Sequence, residues 1–188
     1  RSSIRTFMDR EVRPWHDQWE KDHIVPRGFW LKAGTQGMLC PQVPEDYGGP
    51  GGDYRFLPIV VEEMFYAGGS GPGFAVHSDI VGGYLLNHGT HEQKLAWLPS
   101  MVEGKTIGAI AMTEPNAGSD LRAIRTPARR EAAHYVINGA KTSISNGAHP
   151  DLVLVPERPH TAAVVGISWF LCASNWAGCD GVHDLDEV

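Results

Sequence analysis

The 188 residues predict an α+β chain, an all-α amino-terminal domain followed by a β-domain. Three observations carry this. Before residue 105, apolar residues recur at helical spacing. After Thr106 the pattern changes to short, alternating, β-branched runs. Between the runs lie Gly- and Pro-rich breaks that no long element crosses. The expected division is therefore 1–105 and 106–188.

Ile4, Phe7, Met8, Val12, Trp15 and Trp19 lie close to helical spacing over Ser3 to Lys21, with Pro14 set to kink or restart the helix. Pro26 suits the first turn of a second helix packed by Phe29, Trp30 and Leu31, which Gly34 or Gly37 would end. Cys40 to Asp53 is a loop rich in Pro and Gly. It has neither a Gly-Lys-Ser/Thr ending nor G-x-G-x-x-G after a strand, so it is not a phosphate loop. Phe56 to Ala67 returns to a helical pattern, with Glu62 and Glu63 expected in solvent. Gly68 to Gly73 is a break, and Phe74 to Leu86 is a nearly apolar helix. Thr90-x-x-Gln93 resembles a capping box opening a helix over His91 to Glu103, which Gly104 stops. Expected strands follow at Ile107–Met112, Thr126–Arg130, Ala133–Ile137, Lys141–Ser145, Leu152–Val155 and Gly166–Cys172, with a weak one near Gly181. Asn138-Gly139 between two strand-like runs predicts a hairpin turn.

A net charge of −6 argues against a nucleic-acid surface. No apolar run approaches the ~20 residues of a membrane helix. Cys40, Cys172 and Cys179 form no metal-like pairing and read as free thiols of a reducing compartment. His88 and His91 find no third ligand, so no metal is expected. No G-x-S-x-G elbow supports a serine hydrolase.

The informative stretch is Ile110 to Gly147. It opens with Thr113-Glu114-Pro115-Asn116-Ala117-Gly118-Ser119-Asp120 at a strand end and closes with Asn138-Gly139-Ala140-Lys141-Thr142-Ser143-Ile144-Ser145-Asn146-Gly147. The first run is a small-residue loop able to turn backbone donors toward an anion, or simply a turn between strands. The second ends in hydroxyl and amide groups that suit a heterocycle's edge, or merely close a strand.

Together the two runs resemble the acyl-CoA dehydrogenase family, which carries Thr-Glu-Pro-Gly-Ala-Gly-Ser-Asp followed by Asn-Gly-x-Lys-x-x-Ile-Thr/Ser-Asn-Gly. The resemblance implies a helical domain, then part of an antiparallel β-barrel domain. It implies FAD as cofactor and oxidation of an acyl-CoA thioester to trans-2-enoyl-CoA. By resemblance, Met112 and Thr113 meet the flavin ring, Gly118 and Ser119 face the pyrophosphate and the acyl-CoA, and Ile144 and Ser145 meet the flavin's N5 edge. Phe74 and His77 fall on the helix that helps form the acyl channel. The implied partners are an electron-transfer flavoprotein and further copies of the chain. The implied location is a bacterial cytoplasm or a mitochondrial matrix.

Ser143 stands where the family usually has an aromatic beside the flavin, and Asn116 replaces a glycine. Residues 156–165 depart from the family pattern. The resemblance stops inside the β-domain, so the chain reads as a fragment lacking the family's carboxy-terminal helical bundle. The catalytic base, a Glu of that bundle, is expected beyond Val188, and 1–188 alone is expected not to dehydrogenate acyl-CoA. Alternatives are an acyl-CoA oxidase or other flavoenzyme of the same fold, and a truncated non-catalytic chain.

Overall fold

The computed structural model describes residues 1–132, 134–159 and 168–173. The chain divides into two compact units, Arg1–Gly108 and Ala109–Val188.

The first unit is helical. Helices α1 (Ser2–Glu11) and α2 (His16–Asp22) are separate, the break falling around Pro14, whose ring and missing N–H cannot continue a helix. Pro26 precedes α3 (Arg27–Thr35), and Gly37, at φ 66°, ends it. Helix α4 (Phe56–Tyr66) follows the Gly-rich loop, which holds one 3₁₀ turn at Glu45–Tyr47. Thr90 and Gln93 form the expected capping box at the start of α6 (His91–Val102). The stretch before it is not one α-helix. Val76–Val81 is a π-helical turn, continued by α5 (Gly82–His88). The wider turn brings His77 and Ser78, adjacent and polar, both to full burial.

The core is aromatic. Phe29 stacks on Phe74 with ring centroids 5.4 Å apart, and Trp30 meets Phe74 edge-on at 5.0 Å. Each such buried side chain is worth roughly 1.5–3 kcal/mol. Met8, Val12 and Ala33 belong to the same cluster.

Glu63, expected in solvent, is buried. Its side chain is fully enclosed, and Arg5 Nε (2.6 Å) and Arg1 Nη1 (2.8 Å) donate to it. The two arginines on α1 and its N-cap make burial of this carboxylate tolerable, a pairing over some sixty residues that helical periodicity does not reveal.

The second unit is built on a five-stranded sheet of order β1-β4-β2-β3, with β5 also on β4. The strands are β1 (Gly108–Ile110), β2 (Pro127–Glu131), β3 (His134–Ile137), β4 (Leu152–Pro159) and β5 (Ser168–Ala173). β4 alternates buried Leu152 and Leu154 with half-buried Val153 and Val155. The sheet is mixed. β2–β3 and β4–β5 are antiparallel, whereas β2 meets β4 in parallel at Pro127↔Arg158.

Two strand expectations are corrected. Lys141–Ser145 is not a strand, and Asn138-Gly139 is not a hairpin turn. The chain instead reverses between Glu131 and His134, where Ala132 takes φ 53°. Gly139 is demanded by space rather than by a turn: a Cβ there would collide with the Thr126 side chain. Ala133 and the weak strand near Gly181 lie outside the described residues. Among the described residues, no helix is long and apolar enough to cross a membrane.

The Arg1–Arg5–Glu63 cluster gives a pH-dependent prediction. Hydrogen bonds from Arg5 hold the Glu63 carboxyl below its ordinary value. Its stabilising contribution is therefore complete above the unfolded-state carboxyl pKa and is lost as pH falls through the lower folded value. Glu63→Gln should lower the thermal midpoint at neutral pH, and the gap to the unaltered protein should narrow in acid, as read by circular dichroism.

Candidate functional site

The site grows from the end of β1. The chain leaves the strand at Ala111, whose amide donates to Leu154 O at 2.8 Å. It then makes a tight reversal in which Glu114 and Ala117 exchange both backbone hydrogen bonds (2.9 and 3.0 Å) around exposed Pro115 and Asn116. Asn116 is not among the described residues of positive φ, so its tolerance of left-handed angles goes unused. Asp120 accepts from the Arg122 amide at 3.1 Å and caps a 3₁₀ turn, Leu121–Ala123.

Glu114 is the centre of the arrangement. Four donors converge on its carboxylate: the amides of Arg125 (2.8 Å) and Thr126 (3.1 Å), the Thr126 hydroxyl (2.5 Å) and Lys141 Nζ (2.9 Å). Lys141 Nζ also donates to Pro156 O at 3.0 Å. Proline interrupts β4 as a donor but keeps its carbonyl for this contact. The pair is enclosed, with side chains 12% and 6% exposed for Lys141 and Glu114. Burial alone would raise the Glu114 pKa, but the hydroxyl, the two amides and the ammonium together hold it down to about 2.

This pair draws the two motif runs together. Beside it, the Thr142 amide donates to Thr113 O at 3.0 Å. Thr113 thus faces Thr142 and Glu114 faces Lys141, consecutive contacts in an antiparallel sense. Beyond Thr142 the chain turns sharply. Ser143 and Asn146 adopt φ 53° and 63°, and the Gly147 amide donates to Ile144 O at 2.8 Å. A Cβ at Gly147 would press on Ile144 O, so this glycine serves its own turn.

Of the expected cofactor residues, Met112, Thr113 and Ile144 are half-buried, while Gly118, Ser119, Ser143 and Ser145 are exposed. The hydroxyls of Thr113, Ser119, Ser143 and Ser145 make no hydrogen bond among the described residues. A Cβ at Gly118 would meet nothing within 4 Å, and its backbone is not left-handed, so the glycine leaves space rather than permitting a turn. Uncommitted hydroxyls on the two runs fit a polar heterocycle and an anion.

Phe74 and His77 are placed differently from the acyl-channel expectation. Both are fully buried in the helical unit. The Gly108 amide donates to His77 Nδ1 (3.0 Å), which leaves the proton on Nε2 to donate to Met101 O (3.1 Å). The ring packs against Trp30 at 5.3 Å, and Cys40 Sγ lies 3.7 Å from Nε2. Burial pushes the Cys40 thiol up to about 12, so it is inert. Among the described residues no group of three His, Cys, Asp or Glu is arranged to hold a metal.

A helical unit followed by a sheet unit, with two polar runs clasped beside one another, defines a class of protein that comparison identifies. The family description "Acyl-CoA dehydrogenase, N-terminal domain" matches residues 1–105, and "Acyl-CoA dehydrogenase, middle domain" matches 109–186. The chain belongs to the acyl-CoA dehydrogenase family. It is 46% identical over 181 residues to the mitochondrial long-chain specific acyl-CoA dehydrogenase of Rattus norvegicus, spanning 95% of this chain and 42% of that one. A crystal structure of an acyl-CoA dehydrogenase from Geobacillus kaustophilus superposes with a TM-score of 0.88 at 42% identity, covering 94% of this chain and 47% of that one. A glutaryl-CoA dehydrogenase from Mycobacterium smegmatis in complex with FADH2 follows at 0.85 and 27%, covering 94% and 45%. The chain thus spans less than half the length of these relatives.

Sequence reasoning missed the partners of Glu114, although the signal was present: the second run carries a single charge, Lys141, and the first carries two of the opposite sign, Glu114 and Asp120. The folded pKa of Glu114 lies below the ordinary 4.5, so its contribution, on the order of 3 kcal/mol, is complete above that value and is lost as pH falls toward about 2. Urea titrations from pH 6 to pH 2 should show this slope, and Glu114→Gln should flatten it. Gly139→Ala, which drives Thr126 off the carboxylate, should destabilise the protein by about 1–3 kcal/mol in the same assay.

Proposed function

We propose that this chain is the helical and flavin-facing portion of an FAD-dependent acyl-CoA dehydrogenase. The reaction is oxidation of an acyl-CoA thioester to its trans-2-enoyl-CoA. The observation that carries the reading is the clasped pair of runs, in which the hydroxyls of Thr113, Ser119 and Ser145 make no hydrogen bond among the described residues.

Met112, Thr113, Ile144 and Ser145 would hold the ring system, and Gly118 and Ser119 the pyrophosphate and the acyl-CoA. Ser143 would stand beside the ring. When bound, FAD supplies the acceptor for the hydride leaving the β-carbon. The α-proton needs a base within hydrogen-bond reach. Glu114 is a poor candidate, since four donors, three at Oε1 and one at Oε2, hold it ionised. Asp120 is turned to the Arg122 amide. The base therefore comes from outside these two runs. Phe74 and His77 serve packing of the helical unit rather than contact with the acyl chain.

The similarity to dehydrogenases supports an electron-transfer flavoprotein as acceptor, and assembly into a homo-oligomer. Mitochondrial and bacterial relatives support a mitochondrial matrix or bacterial cytoplasmic location. One observation favours the oxidase reading as second choice: Ser143 is small, polar and exposed, and offers no apolar cover against oxygen.

The protein carrying this sequence should bind FAD, and a saturated acyl-CoA added anaerobically should bleach the flavin's visible absorption. Absence of FAD binding would sink the proposal. Admitting air separates the two readings, since rapid recovery of colour marks an oxidase and slow recovery a dehydrogenase. Ser143→Trp should slow loss of FAD on gel filtration by burying an aromatic against the ring. Equal or faster loss would count against the placement of Ser143.

A further inference from the structure

The Ser143–Asn146 segment is held in a costly shape. Ser143 carries φ 53°, a left-handed value that a residue other than Gly or Asn keeps only when its surroundings over-determine it, while Asn146, at φ 63°, tolerates the region. Ser143 is exposed, and its hydroxyl has no partner among the described residues, so its own side chain does not hold the turn. The flanking contacts hold it on either side. On the carboxy-terminal side is the Gly147 N–H to Ile144 O bond, internal to the turn. On the amino-terminal side are Thr142 N–H to Thr113 O and, one residue earlier, Lys141 Nζ to Glu114 and Pro156 O. These tie the turn to the sheet.

The geometry points to Lys141 and Glu114 as positioning residues of the flavin site, a clasp that fixes the register of Met112–Thr113 against Ser143–Ser145. This rests on the flavin reading of those residues. The clasp sits two positions from Met112 and from Ser143, so neither charged group need touch the ligand. Thr126 is its third member, because its hydroxyl and amide both donate to Glu114 Oε1. Gly139 is the space that lets Thr126 reach. The Thr-Glu and Asn-Gly-x-Lys elements thus act as one device: a buried charge pair that pre-organises two short polar runs before any ligand arrives.

The test uses Lys141→Met in the protein carrying this sequence, with two readouts. FAD affinity is measured by fluorescence titration. Order of the turn is measured by electron paramagnetic resonance of a nitroxide on Ser143→Cys, in a Cys179→Ser background, since Cys40 and Cys172 are buried. With the clasp cut, the nitroxide spectrum should sharpen and the Kd for FAD should rise about tenfold or more. In Lys141→Ala, which leaves space for it, ethylammonium should reverse both changes in part, a rescue that general loss of folding would not show. If Lys141→Met fails to fold, Thr126→Val, nearly isosteric, should shift both readouts the same way by less. An unchanged nitroxide spectrum overturns the clasp. A mobilised turn with unchanged FAD affinity overturns its role in the flavin site. Failure of the unaltered protein to bind FAD overturns the underlying flavin reading instead.

Discussion

The second unit depends on one enclosed ion pair. Glu114 and Lys141 lie far apart in sequence, on loops that belong to no strand, yet their contact and the neighbouring Thr113–Thr142 bond fasten those loops to each other. An enclosed pair is a weak source of net stability, because desolvation offsets attraction. Its value lies in specificity. A carboxylate that must find four donors accepts only one arrangement of Thr126, Arg125 and Lys141. The loops inherit that arrangement, and with it the outward-facing hydroxyls that a flavin would use.

The helical unit uses the same logic. Glu63 is enclosed against Arg1 and Arg5, and His77 against Gly108 and Met101. In each case a polar group within an aromatic and aliphatic core selects one packing among several that hydrophobicity alone would allow. The π-helical turn at Val76–Val81 carries two such buried polar residues side by side, His77 and Ser78.

Legibility in the sequence followed the range of the causes. Pro14, Pro26 and the Thr90–Gln93 box act within a few residues, and the elements they bound were readable directly. The order of strands β1 to β5 followed from their alternating patterns. Asn138-Gly139 misled because a local hairpin signal coincided with a long-range demand: Gly139 is small for the sake of Thr126, and the neighbouring run serves loop geometry rather than a ladder. Glu63 misled for the same reason, its arginines lying outside any helical window. The mixed sheet was unreadable because the parallel β2–β4 register joins segments whose individual patterns do not record direction. The expected site residues rest on motif resemblance, whereas the contact that joins their two runs is tertiary, and only the fold displays it.

The central claim is that Glu114 and Lys141 act as a unit. A double-mutant cycle measures this directly, using Glu114→Gln, Lys141→Met and both together, with unfolding free energies from urea titration at neutral pH. Coupling predicts that the double variant is more stable than the sum of the single losses implies, by about 1 kcal/mol or more, since each single change strands the other partner. Additive losses would show that the two residues contribute independently and would contradict the account.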